Sequence, residues 1–515
     1  MFKNHPKGLL AASMANMGER FGFYVMIALL LLFLNSKFGF FEGTQGVLIY
    51  SVFMGSIYAL SLLGGYIADK TKKYKTTISI GLILMTLGYV FLAWPTKTPV
   101  ENMPLVLTLT CLGLFTVALG NGLFKGNLQA VVGQLYDDPK YTDKRDSGFQ
   151  LFYMFINVGA MVSPLAAIFI RNWWVQKQGL LFDPNLPRLC HRYLKEGQDM
   201  AVDALDRFKE LVAVQPQGGE DLAAFASNYL NVFVTGYHYA ISVAILAMLV
   251  SLGIFLKYKN GLPDPAMKKA AAATAGTEAK PEAPAMDVKE VQKRIYALCV
   301  VFGAAFFFWF AFQQAGTTLT LFANDYTQML KLDLGFTSFQ GAEVFQTFNP
   351  LFVVFLTPII IGIFGWLKAR GKEPSTPKKI AIGLGIGALA WTIMALGSIG
   401  LPSGAEFKAM GAIPDEMRVT AFLLIGYYFT KTIAELFISP LGISYVSKVA
   451  PPHLQGLMQG CWLATTGIGN LMLFVGAMLY LNLPLWGTWT VFAVSLAVTM
   501  TLLLTMVKWL ERIAK

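Results

Sequence analysis

The sequence predicts an all-α integral membrane protein whose twelve transmembrane helices form two six-helix bundles. Three observations predict it. Hydrophobic residues make up 55% of the 515 and charged ones 14%, with a mean hydropathy of +0.54, whereas a soluble globule carries about a quarter charged residues. Apolar runs of roughly 20 residues, each long enough to cross a ~30 Å hydrocarbon core as a helix, recur along nearly the whole length. A polar Ala/Pro/Lys/Glu stretch over 259–293, too poor in apolar side chains to bury a core, divides those runs six and six.

The runs fall at about 9–34, 45–68, 76–95, 105–136, 147–170 and 233–256, then 295–323, 340–366, 379–399, 419–446, 455–481 and 485–508. Residues ahead of the first are too few and too poorly patterned for a cleaved signal peptide, so that run directs insertion itself. The second ends in Lys70, Lys72, Lys73 and Lys75. Between the fifth and sixth lies an insertion, 171–232, where Met200, Leu205, Phe208 and Leu211 recur at near-helical spacing before a Pro216–Gly219 break. It reads as a small amphipathic hairpin capping the outer face and packing on neighbouring loops. Pro350, Pro358 and Pro440 read as helix kinks. The expected organisation is a first bundle over 1–258, including the insertion, a linker over 259–293 and a second bundle over 294–515.

Most of the 41 basic residues fall on the side of the two termini, which places both termini in the cytoplasm and the chain in the cytoplasmic (inner) membrane. The net charge of +11 then reflects topology and attraction to anionic lipid; nucleic acid is not needed to explain it. His5, His191, His238 and His453 fall in tails, loops or span ends. The four cysteines suggest no disulfide, and no metal-ligand cluster, phosphate-cradling loop or nucleophile elbow is present, so neither an enzyme nor a bound cofactor or metal is expected.

Five ionisable side chains interrupt the apolar runs: Glu19, Arg20, Lys125, Lys431 and Glu435. A charge at mid-bilayer costs roughly 2.5 to 3.5 kcal/mol on insertion scales, so these groups are expected to face one another across a wet cavity. The halves also echo one another. Gln45-Gly46 and Gln340-Gly341 each open a run that ends in a basic cluster, and the interval Gly148 to Gly159 equals Gly456 to Gly467. Parallel six-span repeats are the layout of the major facilitator superfamily, whose binding sites lie at mid-membrane between the halves. Gly64-Gly65-Tyr66-Ile67-Ala68-Asp69-Lys70 resembles that superfamily's cytoplasmic gating loop, with Asp69 as the gating residue.

Five further motifs make the resemblance specific: Gly18-Glu19-Arg20-Phe21-Gly22-Phe23-Tyr24; Gly122-Leu123-Phe124-Lys125-Gly126-Asn127; Arg145-Asp146-Ser147-Gly148-Phe149-Gln150 running on to Asn157; Phe345-Gln346-Thr347-Phe348-Asn349-Pro350; and Glu435-Leu436-Phe437-Ile438-Ser439-Pro440. With these the chain resembles the proton-dependent oligopeptide transporter family over nearly its full length. The resemblance implies a symporter, monomeric, that imports dipeptides and tripeptides with protons by alternating access. Arg20 and Lys125 match the family's cations for the peptide carboxylate, and Glu435 the acid that receives the amino terminus. Asn157 and Asn349 offer donors and acceptors to the peptide bond, while Tyr24, Tyr58, Trp309 and Trp462 would line pockets for varied side chains. For a tryptophan or asparagine taken alone, plain packing or an interhelical hydrogen bond is the competing reading.

Proton coupling then falls to Glu19 and Glu435. Glu19, adjacent to Arg20, takes a proton only when Arg20 swings to a substrate carboxylate. The chain departs from the family where charge matters: Asn16 stands for a second glutamate, Gln313 for a glutamate in the seventh span, and Gly126 for a proline. Lys431, one turn before Glu435, is expected to pair with it, hold it ionised and weaken its use as a proton site. Three cations against two acids favour acidic peptides or other organic anions. Two other readings therefore stand beside the symporter: a carrier of peptide-like or organic anions with weak or no proton coupling, running as exchanger or uniporter, and a sensor that does not transport.

Overall fold

The computed structural model describes residues 5–71, 73–136, 138–141, 144–263, 287–451 and 454–514. Twelve helical segments among them are long and apolar enough to cross a membrane. The expected linker residues 264–286 and His453 lie outside the described residues.

In the first half, α1 (Lys7–Phe38) ends at Gly39, whose left-handed φ of 71° lets its N–H reach the Asn35 carbonyl. α2 (Gln45–Thr71) and α3 (Tyr74–Ala93) follow. α4 (Met103–Gln134) starts at Asn102, whose side chain accepts from the Leu105 N–H, with Pro104 in the first turn where a missing donor costs nothing. α5 (Arg145–Lys177) and α8 (Leu222–Tyr258), the latter capped by Asp221, both run past the ends that apolar content sets. The insertion between them therefore narrows from 171–232 to 178–221. It folds as α6 (Leu186–Glu196) and α7 (Val202–Ala213). α7 is the helix that Leu205, Phe208 and Leu211 predict, and all three are buried; α6 was not singled out, although Leu186, Leu189 and Cys190 give it an apolar stripe that is buried, with Arg188 and Arg192 off that stripe.

The second half is less regular. Its first span is α9 (Val288–Phe312) and α10 (Thr318–Tyr326), separated by a tight turn over Gln313–Gly316. α11 (Phe348–Ala369), α12 (Thr376–Gly397), the short α13 (Gly404–Met410) and α14 (Ala421–Val449) follow. The eleventh span breaks at Met472 into α15 (Gln455–Leu471) and α16 (Leu473–Asn482), and α17 (Leu485–Ala514) is the twelfth. A two-residue antiparallel ribbon, β1 (Leu332–Asp333) with β2 (Ser338–Phe339), and an isolated bridge between Thr327 and Val419 depart from all-α. Pro358 and Pro440 lie inside helices as expected. Pro350 does not kink one: it occupies the first turn of α11, and the internal proline missed by the sequence reading is Pro164 of α5.

Backbones approach closely where glycines meet. A Cβ on Gly64 of α2 would lie 2.2 Å from the Gly122 carbonyl of α4, and one on Gly81 of α3 2.7 Å from that of Gly120. Leu62, Ile83, Phe355, Ile361 and Phe422 point outward from the bundle, as a lipid-facing surface requires. His238 corrects an expectation. It is buried within α8, not at a span end, with Nδ1 2.7 Å from the Leu92 carbonyl and Nε2 3.3 Å from Lys37 Nζ.

On the insertion side the halves are latched. Arg171 of α5 and Glu343, which precedes α11, are fully buried and ion-paired. Arg171 Nη2 donates to the Gln340 carbonyl at 3.1 Å, and Asn172 Nδ2 donates to the Ser338 and Gln340 carbonyls at 2.7 and 2.9 Å. The Arg171 guanidinium is cushioned by Phe182, Tyr237 and Phe233, with ring centroids at 4.5, 5.2 and 5.8 Å. Beside this latch, α6 reaches across to the second half, where Arg188 pairs with Asp325 at 2.8 Å and Pro184 accepts from Asn324 at 3.2 Å.

Candidate functional site

A cavity of ≈ 380 Å³ lies between the halves. Helical periodicity builds its walls: residues four apart share a face, so single helices contribute Arg20 with Tyr24, Tyr50 with Met54 and Tyr58, Lys125 with Gln129, Tyr153 with Asn157, and Lys431 with Glu435 and Ser439. The nine residues expected to bind substrate, Arg20, Tyr24, Tyr58, Lys125, Asn157, Trp309, Asn349, Glu435 and Trp462, all line this one space.

Charge divides by half. On the first-half wall, Arg20 is held in a bidentate fork by Glu19, with Nε to Oε2 at 2.5 Å and Nη2 to Oε1 at 2.6 Å. Glu19 itself is fully buried behind the wall and does not line the cavity. Its Oε1 also accepts from Asn121 Nδ2 at 2.8 Å, a partner that sequence reasoning missed. Arg20 stacks on Phe23, 4.4 Å from the ring centroid. Lys125 forms no ion pair among the described residues; its Nζ lies 5.3 Å over the Tyr58 ring. With Arg20 neutralised by Glu19, Lys125 is this wall's uncompensated cation.

On the second-half wall, Glu435 Oε2 accepts from Asn349 Nδ2 at 2.9 Å, and the same amide donates to Thr432 Oγ1 at 3.0 Å. The direct Lys431–Glu435 ion pair expected from their spacing is not formed. Lys431 turns to an aromatic box, with Nζ 3.8 Å over Phe312 and 5.2 Å over Tyr428. A ring quadrupole holds an ammonium without neutralising it, so Lys431 remains an available cation at the edge of the cavity.

The remaining expected residues fill between these charges. Asn157 Nδ2 donates to the Tyr153 carbonyl one turn back at 3.1 Å, and the residue lines the cavity. Trp309 Nε1 is buried without a hydrogen-bond partner among the described residues. Trp462 brings the benzo edge of its indole against Gly442, where an added Cβ would sit 1.9 Å from Cη2. The side chain of Asp69, the expected gating residue, lies outside what is described. Tyr50, Tyr153, Gln313, Gln346 and Tyr428 line the cavity too; helical spacing, four residues back from Asn157 and eight back from Tyr58, would have found Tyr153 and Tyr50.

A family profile described as the POT family matches residues 75–262 and 265–485. The chain is 29% identical over 475 residues to the uncharacterized transporter YclF of Bacillus subtilis (strain 168), covering 90% of this chain and 86% of that protein. It is 27% identical over 483 residues to the peptide transporter YePEPT of Yersinia enterocolitica, covering 91% and 87%, and 26% identical over 474 residues to dipeptide and tripeptide permease A of Escherichia coli (strain K12), covering 91% and 83%. Among solved structures, the fold matches a peptide transporter POT in complex with sulfate, with a TM-score of 0.69, 21% identity and coverage of 100% and 96%. A POT family transporter in complex with 5-aminolevulinic acid matches with a TM-score of 0.70, 21% identity and coverage of 100% and 98%.

Proposed function

The chain belongs to the POT family, and on that premise we propose that it imports dipeptides and tripeptides together with protons by alternating access. It is a multi-pass membrane transporter and not an enzyme. The observation that carries the peptide reading is the meeting of both signs of charge in one cavity: Lys125 and Arg20 on one half, Glu435 one turn from Lys431 on the other, with tyrosine and tryptophan between. A short peptide is a zwitterion with variable side chains. Its carboxylate is met by Lys125 and Arg20, its ammonium by Glu435, and its amide by Asn157 and Asn349, while Tyr24, Tyr58, Trp309 and Trp462 tolerate many side chains. The names of the relatives from Yersinia and Escherichia support the same cargo.

Coupling follows from the Glu19–Arg20 fork. When Arg20 turns to a substrate carboxylate, Glu19 loses its counter-ion and keeps only the Asn121 amide. A buried carboxylate in that state favours protonation, so substrate arrival and proton uptake become one event. Glu435 contributes a second titrating carboxylate, Asp69 acts at the terminus-side gate, and the Arg171–Glu343 latch opens and closes the insertion side. In this reading the chain is a monomer in the cytoplasmic membrane with both termini inside, and the two bundles, 1–258 and 294–515, rock about the cavity.

One observation favours a second reading. Lys431 is not neutralised by Glu435, and Asn16 and Gln313 are amides, so a carrier of acidic peptides or other organic anions with weak proton coupling fits the same site. Uptake of a neutral, an acidic and a basic dipeptide into liposomes, with and without an imposed pH gradient, tests both. Symport requires acid-driven accumulation of at least the neutral dipeptide; counterflow that persists while accumulation fails selects the second reading, and flux of none of the three overturns both.

A further inference from the structure

The ribbon between α10 and α11 has two unlike faces. Leu332 pairs with Phe339 and Asp333 with Ser338; side chains alternate along a strand, so Leu332 and Phe339 share one face, Asp333 and Ser338 the other. The tip is built rather than loose: Gly335, at a left-handed φ of 82°, donates its N–H to Asp333 Oδ1 at 2.9 Å. The polar face meets the latch, where Ser338 is buried and its Oγ lies 3.4 Å from Asn172 Nδ2. The apolar face is bare. Leu332 and Phe336 are 59% and 60% exposed, and Leu330 and Leu334, in step with them at two-residue intervals, are exposed as well. Large apolar side chains gathered on one exposed segment are unfavourable in water and mark a surface made for an apolar neighbour.

The place of the ribbon on α5 identifies that neighbour. Val158 and Val162 of α5 are exposed on the lipid side of the bundle, and Phe169, two turns beyond Val162, returns to the same helix face. Phe336 and Phe339 pack on Phe169, with ring centroids at 5.9 and 5.8 Å, and Thr337 Oγ1 donates to the Phe169 carbonyl at 2.9 Å. The ribbon therefore prolongs the lipid-facing stripe of α5 at its insertion-side end. Length gives the depth. The uncharged stretch from Leu151 to Ile170 rises about 30 Å at ~1.5 Å per residue, the thickness of the hydrocarbon core, so Phe169 stands at the edge of that core. One turn further lie Trp173, with Lys177 Nζ 5.0 Å over its ring, and Trp174, 4.6 Å from Tyr239 of α8. Such amphipathic rings collect at headgroup level. Lys331, exposed between Leu330 and Leu332, has a stem long enough to carry its ammonium to the phosphates while the leucines stay below.

We propose that the ribbon is an interfacial membrane anchor, with Leu330, Leu332, Leu334 and Phe336 seated among the acyl chains at the edge of the leaflet on the insertion side. In the alternating-access reading above, the ribbon leaves α5 with the second half and gives up Phe169; lipid takes that ring's place, so parting exposes no new apolar surface to water. The test uses the full chain in phosphatidylcholine nanodiscs, with Cys111→Ala, Cys299→Ala and Cys461→Ala and the buried Cys190 left in place. A nitrobenzoxadiazole fluorophore is attached through Leu332→Cys or Phe336→Cys. At either position it is expected to lose roughly half its fluorescence to chains brominated near the headgroup, less to chains brominated near the methyl end and little to aqueous iodide, as interfacial seating requires. Lys209→Cys, on the exposed side of α7, gives the value for water, and Leu502→Cys, exposed midway along α17, the value for the chain interior. Iodide quenching equal to that at position 209, with none by lipid, places the ribbon in water and overturns the anchor. Quenching by neither shows protein over the apolar face, from a second copy or another partner, and overturns it as well. The outcome is independent of the cargo, so the anchor and the peptide reading stand or fall separately.

Discussion

At the scale of single residues, two side chains behave differently from what their spacing suggests, and each has a measurable consequence. Lys431 sits one turn from Glu435, yet its ammonium prefers the Phe312 face. Periodicity fixes which helix face a residue occupies but leaves a four-carbon stem free to choose among partners on that face, and the aromatic partner comes from another span. Lys431→Ala is therefore expected to act on charge selectivity: the uptake ratio of an acidic to a neutral dipeptide falls roughly fivefold, the worth of about 1 kcal/mol of cavity electrostatics, with the pH profile unchanged. A steepened pH profile would mean that the lysine does pair with Glu435 during the cycle. Glu19 is locked to Arg20 and Asn121 behind the wall. Glu19→Gln keeps the amide contact but offers no proton site, so acid-driven accumulation is expected to fall to the level seen without a gradient while counterflow survives. Loss of both activities together would instead assign Glu19 to holding Arg20 in place.

At the scale of elements, the apolar pattern located the twelve spans but not their interruptions. The turn at Gln313–Gly316 and the break at Met472 lie inside continuous apolar runs, because a break that is covered by neighbouring helices leaves hydropathy untouched. The ribbon at Leu332–Phe339 rests on Arg171 and Asn172 from a distant span, which no local pattern encodes. The site residues were legible to a greater degree, since charge and amide in lipid-facing sequence are conspicuous; Asn121 escaped because a single asparagine in a small-residue helix resembles packing. The insertion carries a pH dependence of its own. His191 of α6 contacts the Ser36 carbonyl at 2.6 Å, and burial pushes its imidazole below the ordinary 6.5, against that carbonyl's pull toward the charged form. A base whose folded value is lowered favours the neutral state, so its contribution to docking is complete above 6.5 and declines as pH falls below it. Protection factors across 178–221, taken relative to the intrinsic exchange rate at each pH, are expected to fall on acidification through that range, and His191→Gln to flatten the effect; a fall unaltered in the variant would place the titration elsewhere.

At the scale of the whole molecule, the halves meet through two kinds of surface, a wet cavity at the centre and a dry latch on the insertion side. Removing one partner of a buried ion pair costs about 3 to 5 kcal/mol, so Glu343→Gln is expected to open the latch. Spin labels at positions 209 and 331, both exposed, would then report a second, longer distance beside that of the latched state. An unchanged distribution would show that the ribbon and α6 hold the face shut without the pair. The latch is also uneven. Glu343 Oε2 is buried with no partner among the described residues, whereas Arg171 keeps Asn172, Tyr237 and the Phe182 and Phe233 rings, all of its own half. Separation therefore hands the carboxylate to water, where it is well solvated, and leaves the guanidinium seated in its nest with most of its company intact. The lock is sprung on one side and upholstered on the other, a construction that can be undone and remade with every turn of the carrier.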